Sequence, residues 1–264
     1  MLCRSSVVHR SIRSLMSLQG KDSRVLKKGD AEPTPPAPGT FRIYNMRFCP
    51  WAQRTLIYAA AKKIPAEIVN IHLQEKPEWY FKKHYKGQVP ALEHDGKYII
   101  ESAIIPEYLD DLLPNTRILP TDPYEKVQQK LLIQRLGDVP QSFYGLVAAI
   151  KDPSVKQGKL EAIEKAVTDA ENLLTSEYYS GSSPGFVDYL FYPNLQRIFW
   201  ISHFAETPFD PKNFPGTKFP KLTAWYAKVE KLPEVVEGSQ PTELGVEFIK
   251  GYVKGDVDYD FGLH

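Results

Sequence analysis

The stretch Arg42-Ile43-Tyr44-Asn45-Met46-Arg47-Phe48-Cys49-Pro50-Trp51-Ala52-Gln53-Arg54 decides how this chain is read. Phe41 to Asn45 reads as a short strand, and Pro50 opens a helix at its first position, where a missing N–H does no harm. Cys49 therefore stands at the junction. A thiol at a helix start faces unpaired backbone N–H groups and the positive end of the helix dipole, which favour thiolate over thiol. The residue three places on is Ala52, not a second cysteine, so a disulfide formed by Cys49 must be resolved by a thiol from elsewhere.

Working outward, the helix carries Ala52, Leu56, Ile57, Ala60 and Ala61 at helical spacing, and Pro65 breaks the chain before a strand over Ala66 to Ile71. This is a β-α-β unit. Lys76-Pro77-Glu78 opens a short helix through Lys83, and Gly87-Gln88-Val89-Pro90 leads into a strand at Ala91 to Glu93. His94-Asp95-Gly96-Lys97 carries the Asp-Gly signature of a tight hairpin, which pairs Tyr98 to Ile100 antiparallel. A helix follows from Ser102, with Pro106 near its fourth position. Asp122-Pro123-Tyr124-Glu125 has the spacing of a capping box after a rigid connector. Beyond it the periods are helical: Val127, Leu131, Leu132 and Leu136 are expected to share one face, Leu160, Ile163, Val167, Ala170, Leu173 and Leu174 another.

Composition narrows the class. The 264 residues, 42% apolar and 12% aromatic, can bury a large core, and 33 basic against 32 acidic residues leave a net charge of +1. No global field draws such a chain to nucleic acid or an anionic membrane. No apolar run approaches the roughly 20 residues needed to span a bilayer. The two cysteines, Cys3 and Cys49, are too few for a disulfide framework or a cysteine-rich metal site, so no metal is expected and a reducing compartment fits best. The first 21 residues hold Arg4, Arg10, Arg13 and Lys21 and no acid, a pattern compatible with a mitochondrial transit peptide or with a disordered basic tail. Residues 31–39 are proline-rich and should run extended. The expected organisation is an extension over 1–39, an α/β domain over 40–113, a linker over 114–121 and an all-helical domain over 122–264.

Several motifs occur in order at family spacing: Met46 to Arg54, Glu75-Lys76-Pro77-Glu78-Trp79, Val89-Pro90-Ala91-Leu92-Glu93, Ile100-Glu101-Ser102, Glu107-Tyr108-Leu109-Asp110, Leu119 to Lys126 and Asp188-Tyr189-Leu190. On these residues the chain closely resembles an omega-class glutathione transferase. The resemblance implies a thioredoxin-like first domain followed by the helical domain of that superfamily. It makes Cys49 the residue that forms a mixed disulfide with glutathione.

It also implies the rest of a glutathione site. Ser102 would meet the γ-glutamyl carboxylate and Glu101 the ammonium, while Val89, before a cis proline, would pair with the cysteinyl moiety. Lys76 would reach the glycyl carboxylate, and Trp51 would flank the thiol. Each has an ordinary reading too: Ser102 as a plain N-cap, Lys76 as a solvated charge, Trp51 as packing. By resemblance Arg197 and Trp225 point toward a second-substrate cleft. Asp188 matches a helix-capping aspartate, but Gly185 stands where a serine or threonine is usual, so half of that box is missing.

The implied activity is glutathione-dependent thioltransfer and dehydroascorbate reduction, with glutathione as co-substrate and no permanently bound cofactor. Methylarsonate reduction and weak conjugation would accompany it. The expected setting is a cytoplasmic homodimer, or a mitochondrial one if residues 1–21 direct import. Two alternatives share the fold: a relative of the intracellular chloride channels, and a non-catalytic ligand-binding subunit.

Overall fold

A computed structural model describes residues 18–263. Cys3 and most of the basic segment lie outside them. Strand β1 (Leu18–Gln19) precedes β2 (Phe41–Asn45), α1 (Pro50–Ala61), β3 (Ala66–Asn70), β4 (Ala91–His94), β5 (Lys97–Ile100) and α2 (Ile105–Leu112). The sheet order is β1-β3-β2-β4-β5. Strands β2 and β3 run parallel, pairing Ile43 with Ile68, and β4 and β5 run antiparallel to their neighbours. Asp95 and Gly96 both have positive φ, 49° and 72°, which gives the hairpin the right-handed twist its strands need.

The helical half consists of α3 (Pro123–Arg135), α4 (Asp138–Lys151), α5 (Lys156–Leu173), α6 (Phe186–Ser202), α7 (Pro220–Val229), α8 (Pro233–Gly238) and α9 (Thr242–Lys254). Every residue of α1 from Ala52 to Ala60 is buried, because the helix is covered by the sheet on one side and by α6 and α8 on the other. Lys62 and Asp110 form a fully buried ion pair at 2.7 Å. The Lys62 ammonium also donates to the Leu113 and Thr116 carbonyls, and the Leu119 N–H donates to Asp110, so one polar knot ties α1, α2 and the connector. None of the described helices is long and apolar enough to cross a membrane.

Four expectations are corrected. The folded chain does not begin near Thr40: Leu18 pairs with Ala66 and Leu26 bridges to Ile71, because β3 would otherwise leave its outer edge unpaired. The proline-rich run is tethered as well, with Lys83 against Glu32 at 2.7 Å and Arg42 donating to the Thr34 carbonyl. Helix α2 starts at Ile105, not Ser102, so Pro106 is its second residue and removes no hydrogen bond. On α3, Val127 and Leu131 are exposed whereas Leu136 is buried. At 3.6 residues per turn Leu132 and Leu136 lie roughly 140–180° around the helix from Val127, so the four never shared a face.

The fourth concerns the capping box. Gly185 donates its N–H to Asp188, and the Val187 N–H is taken by the hydroxyl of Ser180 from the preceding loop. The missing half is supplied from outside the helix. A Cβ on Gly185 would lie 2.8 Å from the Ser180 Cβ, so the glycine makes room for its substitute.

Candidate active site

Helix α1 begins at the end of β2, and Cys49 is its N-cap in extended conformation with Pro50 next. The thiol is 8% exposed. The Trp51 and Ala52 N–H groups and the guanidinium groups of Arg197 and Arg54 favour its thiolate, as a helix start should. Burial outweighs them and pushes the thiol up, against the expectation that the helix start favours thiolate over thiol.

Cys49, Trp51, Lys76, Val89, Glu101 and Ser102 line one cavity of about 530 Å³. They come from the start of α1, the loop after β3, the turn before β4 and the loop after β5, so only the folded sheet collects them. The Val89-Pro90 bond is cis. Glu101 takes φ 73°, a left-handed conformation unusual outside glycine, and its carbonyl accepts the Ile104 and Ile105 N–H groups. Gly87 is needed beside Lys76: with φ +60° it has no room for a side chain, since a Cβ would sit 2.7 Å from the Lys76 Cδ.

Three lining residues carried no assigned role in the sequence reading. Arg54 is buried, stacks its guanidinium 4.2 Å from the Trp51 ring and donates to Ser102 at 3.4 Å. Burial lowers it to about 9, opposed by the nearby Cys49. Being the one charged residue of α1 was the available signal. His84 is buried in the same wall and is held below its usual value mainly by desolvation. Tyr144 of α4 lines this cavity and also a second one, and nothing local marked it.

The second cavity, about 120 Å³, shares Cys49 with the first and is walled mainly by aromatic rings, among them Phe48, Phe143, Phe248, Tyr252 and Tyr259. Arg197 lies in its lining but is 1% exposed. Its guanidinium donates to the Phe48 carbonyl, to Gln53 at 2.6 Å and to Gln196 at 2.9 Å, and it stacks 4.1 Å from Trp200. Those bonds occupy the group that was expected to face a substrate.

Trp225 is placed elsewhere. It is a core residue of the helical half, packed on Tyr179 and Phe191, with its indole N–H donating to Asp188 at 2.7 Å. Its size and amphipathic ring suit a buried residue with one polar partner. It lines neither cavity. Among the described residues no cluster of His, Cys, Asp and Glu could hold a metal ion.

Comparison with known proteins places this geometry. The family model described as "Glutathione S-transferase, N-terminal domain" matches residues 39–111, and "Glutathione S-transferase, C-terminal domain" matches residues 139–233. The chain is 58% identical to "Probable glutathione transferase omega-2" of Caenorhabditis briggsae over 250 residues, 93% of this chain and 99% of that one. It is 47% identical to "Glutathione transferase omega-1" of Caenorhabditis elegans, covering 94% of this chain and all of the other. Among solved structures, glutathione transferase Omega 3C from Trametes versicolor superposes with TM-score 0.70 at 23% identity, over 83% of this chain and 93% of that one, a likeness of fold.

Proposed function

The chain belongs to the omega class of glutathione transferases, whose co-substrate is glutathione, and from that premise we propose that it is a glutathione-dependent thioltransferase and dehydroascorbate reductase with Cys49 as nucleophile. One observation carries this reading: the thiol shares a single cavity with Lys76, Val89, Glu101 and Ser102, and its other side opens on an aromatic-walled cavity. The first volume is of the size that holds a small peptide-like ligand.

Glutathione would be held by its ends. Its two carboxylates meet Ser102 and Lys76, its ammonium meets Glu101, and its cysteinyl amide lies along the Val89 backbone. The Cys49 thiolate attacks the substrate sulfur of a disulfide, forming a new S–S bond as the substrate thiolate leaves. A glutathione thiolate then displaces the remaining substrate thiol, leaving Cys49 joined to glutathione. A second glutathione thiolate attacks the glutathionyl sulfur, releasing glutathione disulfide and restoring the Cys49 thiolate. With dehydroascorbate the Cys49 thiolate adds to a carbonyl carbon; a glutathione thiolate then attacks the Cys49 sulfur, forming the Cys49–glutathione S–S bond, and the electron pair of the broken C–S bond stays with the substrate, which takes up a proton and leaves as ascorbate. Methylated arsenic acids are further oxidants for this cycle, and conjugation is the minor activity.

The single nucleophile suits this cycle, because Ala52 offers no internal thiol and glutathione supplies it. Val127, Leu131 and Tyr124, exposed on α3, support pairing of two copies through that region. Sedimentation at micromolar concentration tests the dimer. Intact mass of a Cys3→Ser protein after incubation with glutathione disulfide tests the chemistry: one glutathionyl group, removed by reduced glutathione, is expected on Cys49. A Cys49→Ala protein that keeps wild-type disulfide and dehydroascorbate reductase rates would overturn the mechanism.

A further inference from the structure

We propose that the Tyr144 hydroxyl is a catalytic acid for carbonyl substrates: it protonates the oxygen that becomes negative when the Cys49 thiolate adds to a carbonyl carbon, a task that disulfide exchange does not require. The assignment rests on Cys49 being the nucleophile and dehydroascorbate one of its substrates. The two cavities meet at the thiol, and among the described residues three line both: Cys49, Leu73 and Tyr144. Leucine has no proton to give. Tyr252 and Tyr259 line the second cavity alone, so Tyr144 is the hydroxyl at the junction where thiol, substrate and glutathione would come together.

Helix α4 delivers it from the helical half. The neighbouring Phe143 is buried and packs edge-on against the Tyr144 ring with centroids 5.4 Å apart. Tyr144 as a residue is 45% exposed, yet its phenol end is desolvated. Burial raises the phenol above its ordinary value and Cys49 adds to this, while the Trp51 side chain and Arg197 act the other way. The phenol therefore keeps its proton at neutral pH. An indole can only donate, so the Trp51 contact occupies a lone pair of the Tyr144 oxygen and leaves the O–H proton for a third group. The cations near the thiol are already engaged, Arg197 with Phe48 and Gln53, and Arg54 with Ser102.

The proton balance closes on these groups. As the S–C bond forms, the π pair of the carbonyl moves to its oxygen, which takes the Tyr144 proton. The thiol proton of the entering glutathione returns to the phenolate, and the glutathione thiolate attacks the Cys49 sulfur. The C–S pair stays with the substrate, which leaves as the ascorbate anion carrying the proton Tyr144 supplied. In a disulfide the departing group is a thiolate, a far weaker base than an alkoxide, and it leaves without an acid.

The test compares kcat/KM of wild type and Tyr144→Phe on dehydroascorbate and on 2-hydroxyethyl disulfide at saturating glutathione. Phenylalanine keeps the ring and its packing on Phe143 and removes only the hydroxyl. The value for dehydroascorbate should fall on the order of 10²-fold, as loss of an acid or oxyanion donor costs, and by on the order of tenfold or more beyond any fall for the disulfide. Equal losses on the two substrates, or no loss on either, would overturn the acid role and leave Cys49 as nucleophile. A wild-type protein that reduces neither substrate would overturn the acid role and the thioltransferase reading together.

Discussion

Arg197, on α6 of the helical half, donates from Nε and Nη2 to the carbonyl of Phe48 at 3.2 and 3.0 Å, the residue immediately before Cys49. The residue before the proposed nucleophile is therefore held by a buried cation of the other half. The arginine is lowered to about 10 by burial, with Cys49 acting in the opposite direction, so the two groups stabilise each other's charged forms.

Arg197→Met should leave the acceptors on Phe48 and Gln53 without this donor, costing about 1–3 kcal/mol of stability. Urea unfolding measures that cost. The same variant should slow Cys49 alkylation at fixed pH, because the thiolate loses a favourable charge.

The pH dependence of alkylation has a definite sign. Burial raises the Cys49 thiol above its ordinary value of 9.0, so the thiolate fraction at neutrality is small and rises about tenfold per pH unit. The rate of iodoacetamide labelling should climb through pH 7 to 9 without levelling. Arg54→Met should push the inflection higher still, since that guanidinium lowers the thiol.

Ser180→Ala should cost about 1 kcal/mol, the value of a helix cap, through the lost acceptor for the Val187 N–H. Gly185→Ser, which restores the usual box residue, should destabilise in the wild type because its Cβ meets Ser180. In a Ser180→Gly background, which removes the Cβ as well as the hydroxyl, the same change should be far better tolerated. Thermal unfolding of Gly185→Ser, Ser180→Gly and the double variant gives the coupling.

Trp225→Phe should cost about 1–3 kcal/mol by depriving buried Asp188 of an indole donor, while leaving the KM for second substrates near wild type. A selective rise in that KM would restore Trp225 to the substrate cleft.

Asp110→Ala should be the most damaging of these changes, about 3–5 kcal/mol, because it leaves the Lys62 ammonium buried without its counter-ion. Equilibrium unfolding is the measurement.

The strand-to-helix junction at Cys49, the Asp-Gly hairpin and the order of elements were legible from the sequence, because each is written in neighbouring residues. The set that the resemblance assigns to glutathione, from Lys76 to Ser102, lines one cavity in the fold. Three misreadings concern residues whose partners lie outside their own element. Trp225 and the first strand depend on partners far along the chain, Asp188 across 37 residues and β3 beyond the proline-rich run, and Gly185 on Ser180 in the loop just before its helix.

The sequence alone placed one thiol at a helix start with no second cysteine three residues on, and marked most of the local segments that become strands and helices. Those follow from backbone conformational preferences and hydrophobic period, which act over a few residues. Packing of distant elements is what raises the Cys49 thiol, sets Arg197 against the Phe48 carbonyl, keeps Trp225 in the core and joins Val25 to Asp260. Desolvation and charge pairing depend on what surrounds a group in space, and those neighbours are supplied by elements that only the packed fold brings together.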